Sequence, residues 1–228
     1  MKNNRQEKVH GISSDLKFKI SEAYKSIRTN IAFSLIKNEC KTIVFTSANP
    51  AEGKSTVSVN IAISLAQTES KVLLIDADLR RPTVYRFLGL SNTPGITNLL
   101  SGMNSLDEIV HTTPYKNLDV ICAGSIAPNP AEMLASEAFA ELLKSLQEKY
   151  DYILIDSTPI NVVADALLVA KHSDGVILVV REKKCKYNHL DAALKKLQMS
   201  QAKVIGMVLN GTHPGKHTYY SYYEESDD

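Results

Sequence analysis

The 228-residue chain carries 26 Lys and Arg against 25 Asp and Glu, a formal net charge of +1, with 44% hydrophobic and 22% charged residues. These are ordinary globular values, and so small a net charge gives no reason to expect nucleic acid as the main partner. The length suits one substantial core, so a single domain over residues 1–211 is expected, followed by a flexible segment at 212–228.

The chain opens on MKNNRQEKVH, which is polar and has no apolar core of a leader, and no apolar run approaches the roughly 18 residues of a membrane span. A protein neither secreted nor inserted is expected, with Cys40, Cys122 and Cys185 as reduced thiols, since their spacing suggests neither a disulfide framework nor a zinc site. Residues 15–36 then place Leu16, Ile20, Ala23, Ile27, Ile31 and Leu35 at helical spacing. That stripe predicts an amphipathic helix outside the core repeat, docked on its own domain or on a neighbour.

From residue 42 onward, short runs rich in β-branched residues recur: TIVFTS (42–47), VLLID (72–76), LDVICA (118–123), YILID (152–156), GVILVV (175–180) and KVIGMVLN (203–210). Runs without polar alternation are what a parallel sheet buried on both faces requires. Between them KSTVSVNIAISLAQ, PAEMLASEAFAELLKSLQEKY and NHLDAALKKLQM repeat apolar residues three and four apart, as helices do. Strands alternating with helices predict a doubly wound, mainly parallel α/β sheet.

Directly after the first strand comes SANPAEGKST, where Ala48, Gly53, Lys54 and Ser55 fit the spacing of a phosphate loop with alanine at the first glycine position. Strand, loop and helix stand in the required order. In such a loop, here Asn49, Pro50, Ala51, Glu52 and Gly53, the backbone N–H groups, which every one of these residues but Pro50 has, cradle phosphates. Lys54 reaches the β and γ phosphates, the Ser55 hydroxyl takes a place on Mg²⁺, and Thr56 can donate to the α phosphate. The second strand runs into VLLIDADLRRP, which puts Asp76 and Asp78 at the carboxyl edge of the sheet, and YILID closes on Asp156. Mg²⁺ on phosphates takes one or two carboxylates, which leaves one acid free to act as a base. Helix capping or pairing with Arg80 or Arg81 is the alternative for Asp76 and Asp78. The six histidines show no metal-ligand spacing.

The chain ends in HTYYSYYEESDD, with Tyr219, Tyr220, Tyr222 and Tyr223 crowded ahead of four carboxylates. After Asn210 no apolar period remains, so this end is expected to lack a core of its own. The segment REKKCK (181–186) is conversely basic.

The phosphate loop, the doubled-acid strand and the strand ending in Asp156 together resemble the deviant Walker ATPases, which include MinD, ParA and the nitrogenase iron protein. Those proteins carry a signature lysine early in the loop; Asn49 stands there instead, which favours another branch of the fold. That branch is the bacterial tyrosine kinases of capsule and exopolysaccharide synthesis, which the chain resembles over nearly its whole length. SEAYKSIRTN (21–30) looks like the family's oligomerisation helix, with Glu22, Lys25 and Arg28 in the motif positions; SANPAEGKST, LLIDADLRRP and ILIDSTP look like its Walker A, A′ and B elements. PNPAEML and the tyrosine-rich end also match. Lys25 replaces a common arginine and cannot offer its bidentate fork to a carboxylate; Asp-Ser-Thr-Pro stands where Asp-Thr-Pro-Pro is frequent.

The resemblance implies a P-loop kinase using ATP and Mg²⁺ to phosphorylate protein tyrosine. Asp76 is expected as the base, Asp78 as second choice, with Asp156 on Mg²⁺ directly or through water. It further implies a ring-like homo-oligomer, a transmembrane activator whose cytoplasmic tail stimulates the kinase, an opposing phosphotyrosine phosphatase, and a peripheral position at the inner face of the membrane. Arg80 and Arg81 are read either as contacts to a subunit or activator, or as solvated arginines beside a proline turn. Asn210 matches a position where related ATPases touch adenine, with a turn-forming Asn-Gly pair as the alternative. The competing function is a positioning ATPase of MinD or ParA type. A nucleotide-binding structural ring without kinase activity is a third reading. Coupled to the site, the tail tyrosines become phosphoacceptors.

Overall fold

The computed structural model describes residues 14–36 and 39–212. The apolar runs form strands β1 (Lys41–Ser47), β2 (Val72–Asp76), β3 (Val110–Thr112), β4 (Leu118–Ile121), β5 (Tyr152–Asp156), β6 (Gly175–Arg181) and β7 (Val204–Asn210). They make one sheet in the order β3-β4-β2-β5-β1-β6-β7, parallel except for β3 against β4. The helices are α1 (Ser14–Ser34), α2 (Lys54–Ala66), α3 (Val84–Leu88), α4 (Ile96–Leu100), α5 (Leu106–Ile109), α6 (Pro130–Ala135), α7 (Glu137–Gln147), α8 (Asp165–Ala170) and α9 (Tyr187–Met199).

Side chains alternate across each strand, so every central strand feeds two cores. Ile43, Phe45 and Leu74 pack with Ile61 and Leu65 of α2 on one face. Val44, Leu73 and Ile155 pack with Phe139 and Leu143 of α7 and Ala193 and Leu197 of α9 on the other. Burial on both faces is why these strands read as uninterrupted apolar runs. The edge strand β7 departs from that expectation: Met207 and Leu209 are each 57% exposed, because an outermost strand has a neighbour on one side only.

Three predicted boundaries shift for identifiable reasons. The helix expected over 130–150 is two helices, since Ser136 adopts extended backbone and its Oγ accepts from Phe139 N at 3.2 Å, capping α7. The strand expected through Ala123 ends at Ile121, as the carbonyls of Cys122 and Ala123 accept from Ile96 N and Thr97 N at the start of α4. The predicted stripe is buried only in its C-terminal part: Ile27, Ile31 and Leu35, with Tyr24 beside them, join the α2 core, whereas Ile20 and Ala23 of the stripe, and Phe18 outside it, are exposed. Arg28 Nη1 ties this half down by donating to the Ser64 carbonyl at 2.7 Å. Strand β3 and the short helices α3, α4, α5 and α8 were not expected. Each is too brief to display a period. Among the described residues no helix is long and apolar enough to cross a membrane.

Phe139 is fully buried and meets the His172 ring edge-on at a centroid distance of 6.1 Å. Phe139→Ala should cost about 3–5 kcal/mol, read as a lower urea midpoint with an unchanged slope. A midpoint like that of the parent would show that this core is not tightly packed.

Candidate active site

Sheet register assembles the site. In the parallel pairing of β2 with β5, Asp76 stands beside Asp156, and β1, on the other side of β5, leads into the loop that opens α2. These strand ends lie together at the carboxyl edge, where ligands of such sheets sit.

The loop itself needs two left-handed residues, Ala51 at φ 59° and Gly53 at φ 93°. Its inner brace is the buried Glu52, whose carboxylate accepts from Ala48 N at 3.1 Å and from Asn49 Nδ2 at 2.9 Å. Helix α2 starts at Lys54 with no side-chain cap and no acid in its first turn. Its leading N–H groups and the positive end of its dipole are therefore available to an anion.

Lys54 Nζ lies 3.0 Å from Asp78 Oδ2 and 3.2 Å from Asp156 Oδ2. Asp156 Oδ2 also accepts from Ser55 Oγ at 2.5 Å. Asp76 turns to backbone: Oδ1 accepts from Asp78 N at 3.1 Å, and Oδ2 from Thr83 N and Val84 N at 3.0 Å each. It thus caps α3, the capping alternative considered for it, while lying beside the other acids. Asp78 Oδ1 accepts from Arg81 N at 3.0 Å.

Burial raises the proton affinity of Asp76 to a pKa of about 7, helped by the charge on Asp156 and opposed by the Val84 N–H and Lys54. Burial likewise raises Asp156, against the pull of Lys54 and Ser55. For Lys54, burial favours the neutral amine, but Asp156 and Asp78 outweigh it and its pKa rises.

The donor set suits a magnesium nucleotide. Asp156 Oδ1 is buried without a hydrogen-bond partner, beside the Ser55 hydroxyl, so an all-oxygen corner is in place. Among the described residues no group of three His, Cys, Asp or Glu forms a metal cage, so a divalent ion held at this corner would have to draw its other ligands from phosphate and water. Ser157 and Thr158, which sequence reasoning passed over, also bury unpartnered hydroxyls directly after Asp156.

Other expected residues find different surroundings. Arg80 is not a freely solvated arginine: its Nε and Nη2 reach the buried Asp165 carboxylate at 2.7 and 3.1 Å, fastening the loop after β2 to α8. Arg81 is exposed. Asn210 Nδ2 donates to the Glu52 carbonyl at 2.9 Å, and Gly211 turns left-handed at φ 77°. Pro50 is exposed at the loop's tip, and Thr56 lies half-buried in the first turn of α2. On α1, Lys25 pairs with Glu22 at 2.7 Å on the surface. Tyr219, Tyr220, Tyr222 and Tyr223 lie outside the described residues. Lys184 and Cys185 were missed as neighbours of the phosphate loop; a charge run gives no sign of what it folds against.

A family described as AAA domain matches residues 40–206. The chain is 41% identical over 208 residues to the tyrosine-protein kinase YwqD of Bacillus subtilis (strain 168), covering 91% of this chain and 88% of that one. It is 38% identical over 208 residues to the putative tyrosine-protein kinase CapB of Staphylococcus aureus, covering 91% of each. The kinase domain of the Escherichia coli tyrosine kinase ETK superposes with a TM-score of 0.82 at 31% identity, covering 89% of this chain and 79% of that one. The septum site-determining protein MinD of Pyrococcus horikoshii, solved with Mg-ADP, shares the fold at 23% identity and a TM-score of 0.64, over 75% of this chain and 70% of that one.

Because Asp76 and Asp156 hold protons more tightly when folded than when unfolded, the stability they contribute is present at low pH and lost as pH rises, for Asp76 through a folded-state pKa of about 7. Lys54, with its raised pKa, stays protonated across that range. Without nucleotide, the urea midpoint should therefore fall between about pH 5 and pH 8, and Mg-ADP should restore more at the higher pH. A restoring effect equal at both pH values would contradict this account.

Proposed function

The chain belongs to the bacterial tyrosine-protein kinases, and we propose that it transfers the γ-phosphoryl group of ATP to tyrosines of its own C-terminal segment, in trans between subunits. The observation that carries this reading is the cluster at the mouth of α2, where Lys54 stands within 3.2 Å of both Asp78 and Asp156, and Asp156 is paired in register with Asp76.

In the proposed reaction the backbone N–H groups of Asn49 and of Ala51 to Thr56 hold the phosphates, with Pro50, which has no N–H, lining the loop between them, and Lys54 exchanges its carboxylate partners for β and γ phosphate oxygens. Mg²⁺, held by Ser55 and Asp156 with Asp76 and Asp78 alongside, supplies charge neutralisation at the transferred group when bound. A tyrosine hydroxyl, with a pKa near 10, needs a base within hydrogen-bond reach. Asp76 is that base: its raised proton affinity suits the role, and three backbone donors leave one of a carboxylate's roughly four acceptor positions for the phenol. Asp78, nearer to solvent, is the second choice.

The geometry at Asn49 supports kinase over positioning ATPase. Where the related ATPases place a lysine that reaches across a dimer, the Asn49 amide is folded into its own loop on Glu52. Tyr219, Tyr220, Tyr222 and Tyr223 are the acceptors. Subunits assemble as a ring through α1, with Glu22, Lys25 and Arg28 near the contact, although Arg28 also serves its own chain at Ser64. A transmembrane activator brings the ring to the inner face of the membrane, where it regulates capsular or exopolysaccharide synthesis, and a phosphotyrosine phosphatase reverses the modification. Each phosphate adds roughly −1.5 to −2 charge, so clustered phosphotyrosines beside the acidic end repel one another and loosen the ring.

Incubation with labelled ATP and phosphosite mapping tests the assignment. The parent should label the terminal tyrosines, faster when an activator's cytoplasmic tail is added, and Lys54→Met should not. Asp76→Asn should lose about 100-fold or more in transfer rate while still binding nucleotide; an unchanged rate removes Asp76 as the base. Light scattering before and after ATP should register a drop in mass, and constant mass would rule out phosphorylation-driven disassembly.

A further inference from the structure

Segments far along the chain brace the outer side of the phosphate loop. Lys184 Nζ donates to the Ala51 carbonyl at 3.1 Å, the Asn49 amide lies 3.8 Å from Cys185 Sγ, and Asn210 Nδ2 donates to the Glu52 carbonyl at 2.9 Å. The Asn210 contact is the most constrained of the three. A Cβ added to Gly53 would come within 2.0 Å of Asn210 Nδ2, so the amide fills the space a side chain would need. Its own backbone is fixed as well: Asn210 pairs in register with Arg181, and its carbonyl accepts from Glu182 N at 2.9 Å.

In a trans peptide the C=O and N–H point in opposite directions. Drawing the Glu52 carbonyl outward onto Asn210 therefore aims the Gly53 N–H the other way, into the cradle at the start of α2. We propose that Asn210 is a positioning residue of the phosphate loop, which sets the plane of the Glu52–Gly53 peptide and so pre-orients a phosphate-binding N–H, rather than a reader of the nucleotide base. This rests on the nucleotide-binding reading above and extends it to a residue on the last strand.

The two roles separate by ligand. A base reader affects ATP alone; a loop positioner affects anything that carries the phosphates. Binding of Mg-ATP, Mg-GTP and magnesium pyrophosphate should be measured on the parent, Asn210→Ala and the isosteric Asn210→Asp, which has no N–H to donate. The expected result is a loss of about tenfold, the size of one charge-assisted hydrogen bond, for all three ligands in Asn210→Ala and a larger loss for all three in Asn210→Asp, whose added charge also repels phosphate, with the urea midpoint of Asn210→Ala close to the parent's. Loss confined to ATP, or variants that bind all three ligands like the parent, would overturn the proposal. If the parent binds none of the three, the nucleotide-binding reading fails instead, and the two failures cannot be confused.

Discussion

One ammonium governs the carboxyl edge of this sheet. Lys54 answers two buried carboxylates directly, and the register of β2 against β5 places a third at their side. Acids cannot be buried together in charged form without compensation. Here the compensation is divided by source: Lys54 serves Asp78 and Asp156, the Ser55 hydroxyl serves Asp156, and backbone N–H groups of Asp78, Thr83 and Val84 serve Asp76. Helix α2 and helix α3 are thus located by the charges they must answer as well as by apolar packing. A triphosphate entering this edge adds further negative charge and competes for the same ammonium, which is why an accompanying cation belongs to the chemistry.

The phosphate loop is held on two sides by unlike means. Inside, Glu52 folds back on Ala48 and Asn49. Outside, the turn after β6 and the end of β7 supply Lys184 and Asn210. The outer contacts come from residues more than 130 positions further along the chain and fall on the carbonyls of Ala51 and Glu52, at and next to the two left-handed residues.

Local signals were the legible ones. Continuous apolar runs revealed six of the seven strands because burial on both faces leaves no other pattern, and the loop's spacing identified Lys54 and Ser55 because backbone cradles require short, fixed spacing. What escaped was written between distant residues. Helix capping is an open alternative for Asp76 in the sequence, but nothing there says that the helix is α3; nothing near Asn210 says that its amide will rest on Glu52, and Arg80 gives no hint of Asp165. Side-chain bonds to far-off partners leave no period in the sequence. Ser136 is a contrary case, since its capping role was locally encoded but masked by strong helical periodicity on either side.

The strand order also dictates when the protein can become whole. Strand β1, which carries the phosphate loop, is made early in synthesis, yet its neighbours are β5 and β6: Lys41 waits for Tyr152 and Ile43 for Gly175. While the ribosome is still adding the middle of the chain, the strand that will anchor nucleotide has neither edge paired and its apolar faces lie open. Such long-range parallel pairing folds slowly and exposes aggregation-prone surface meanwhile. A message truncated before β5 therefore yields a polypeptide with a complete phosphate-loop motif on a strand that has neither of its neighbours to pair with.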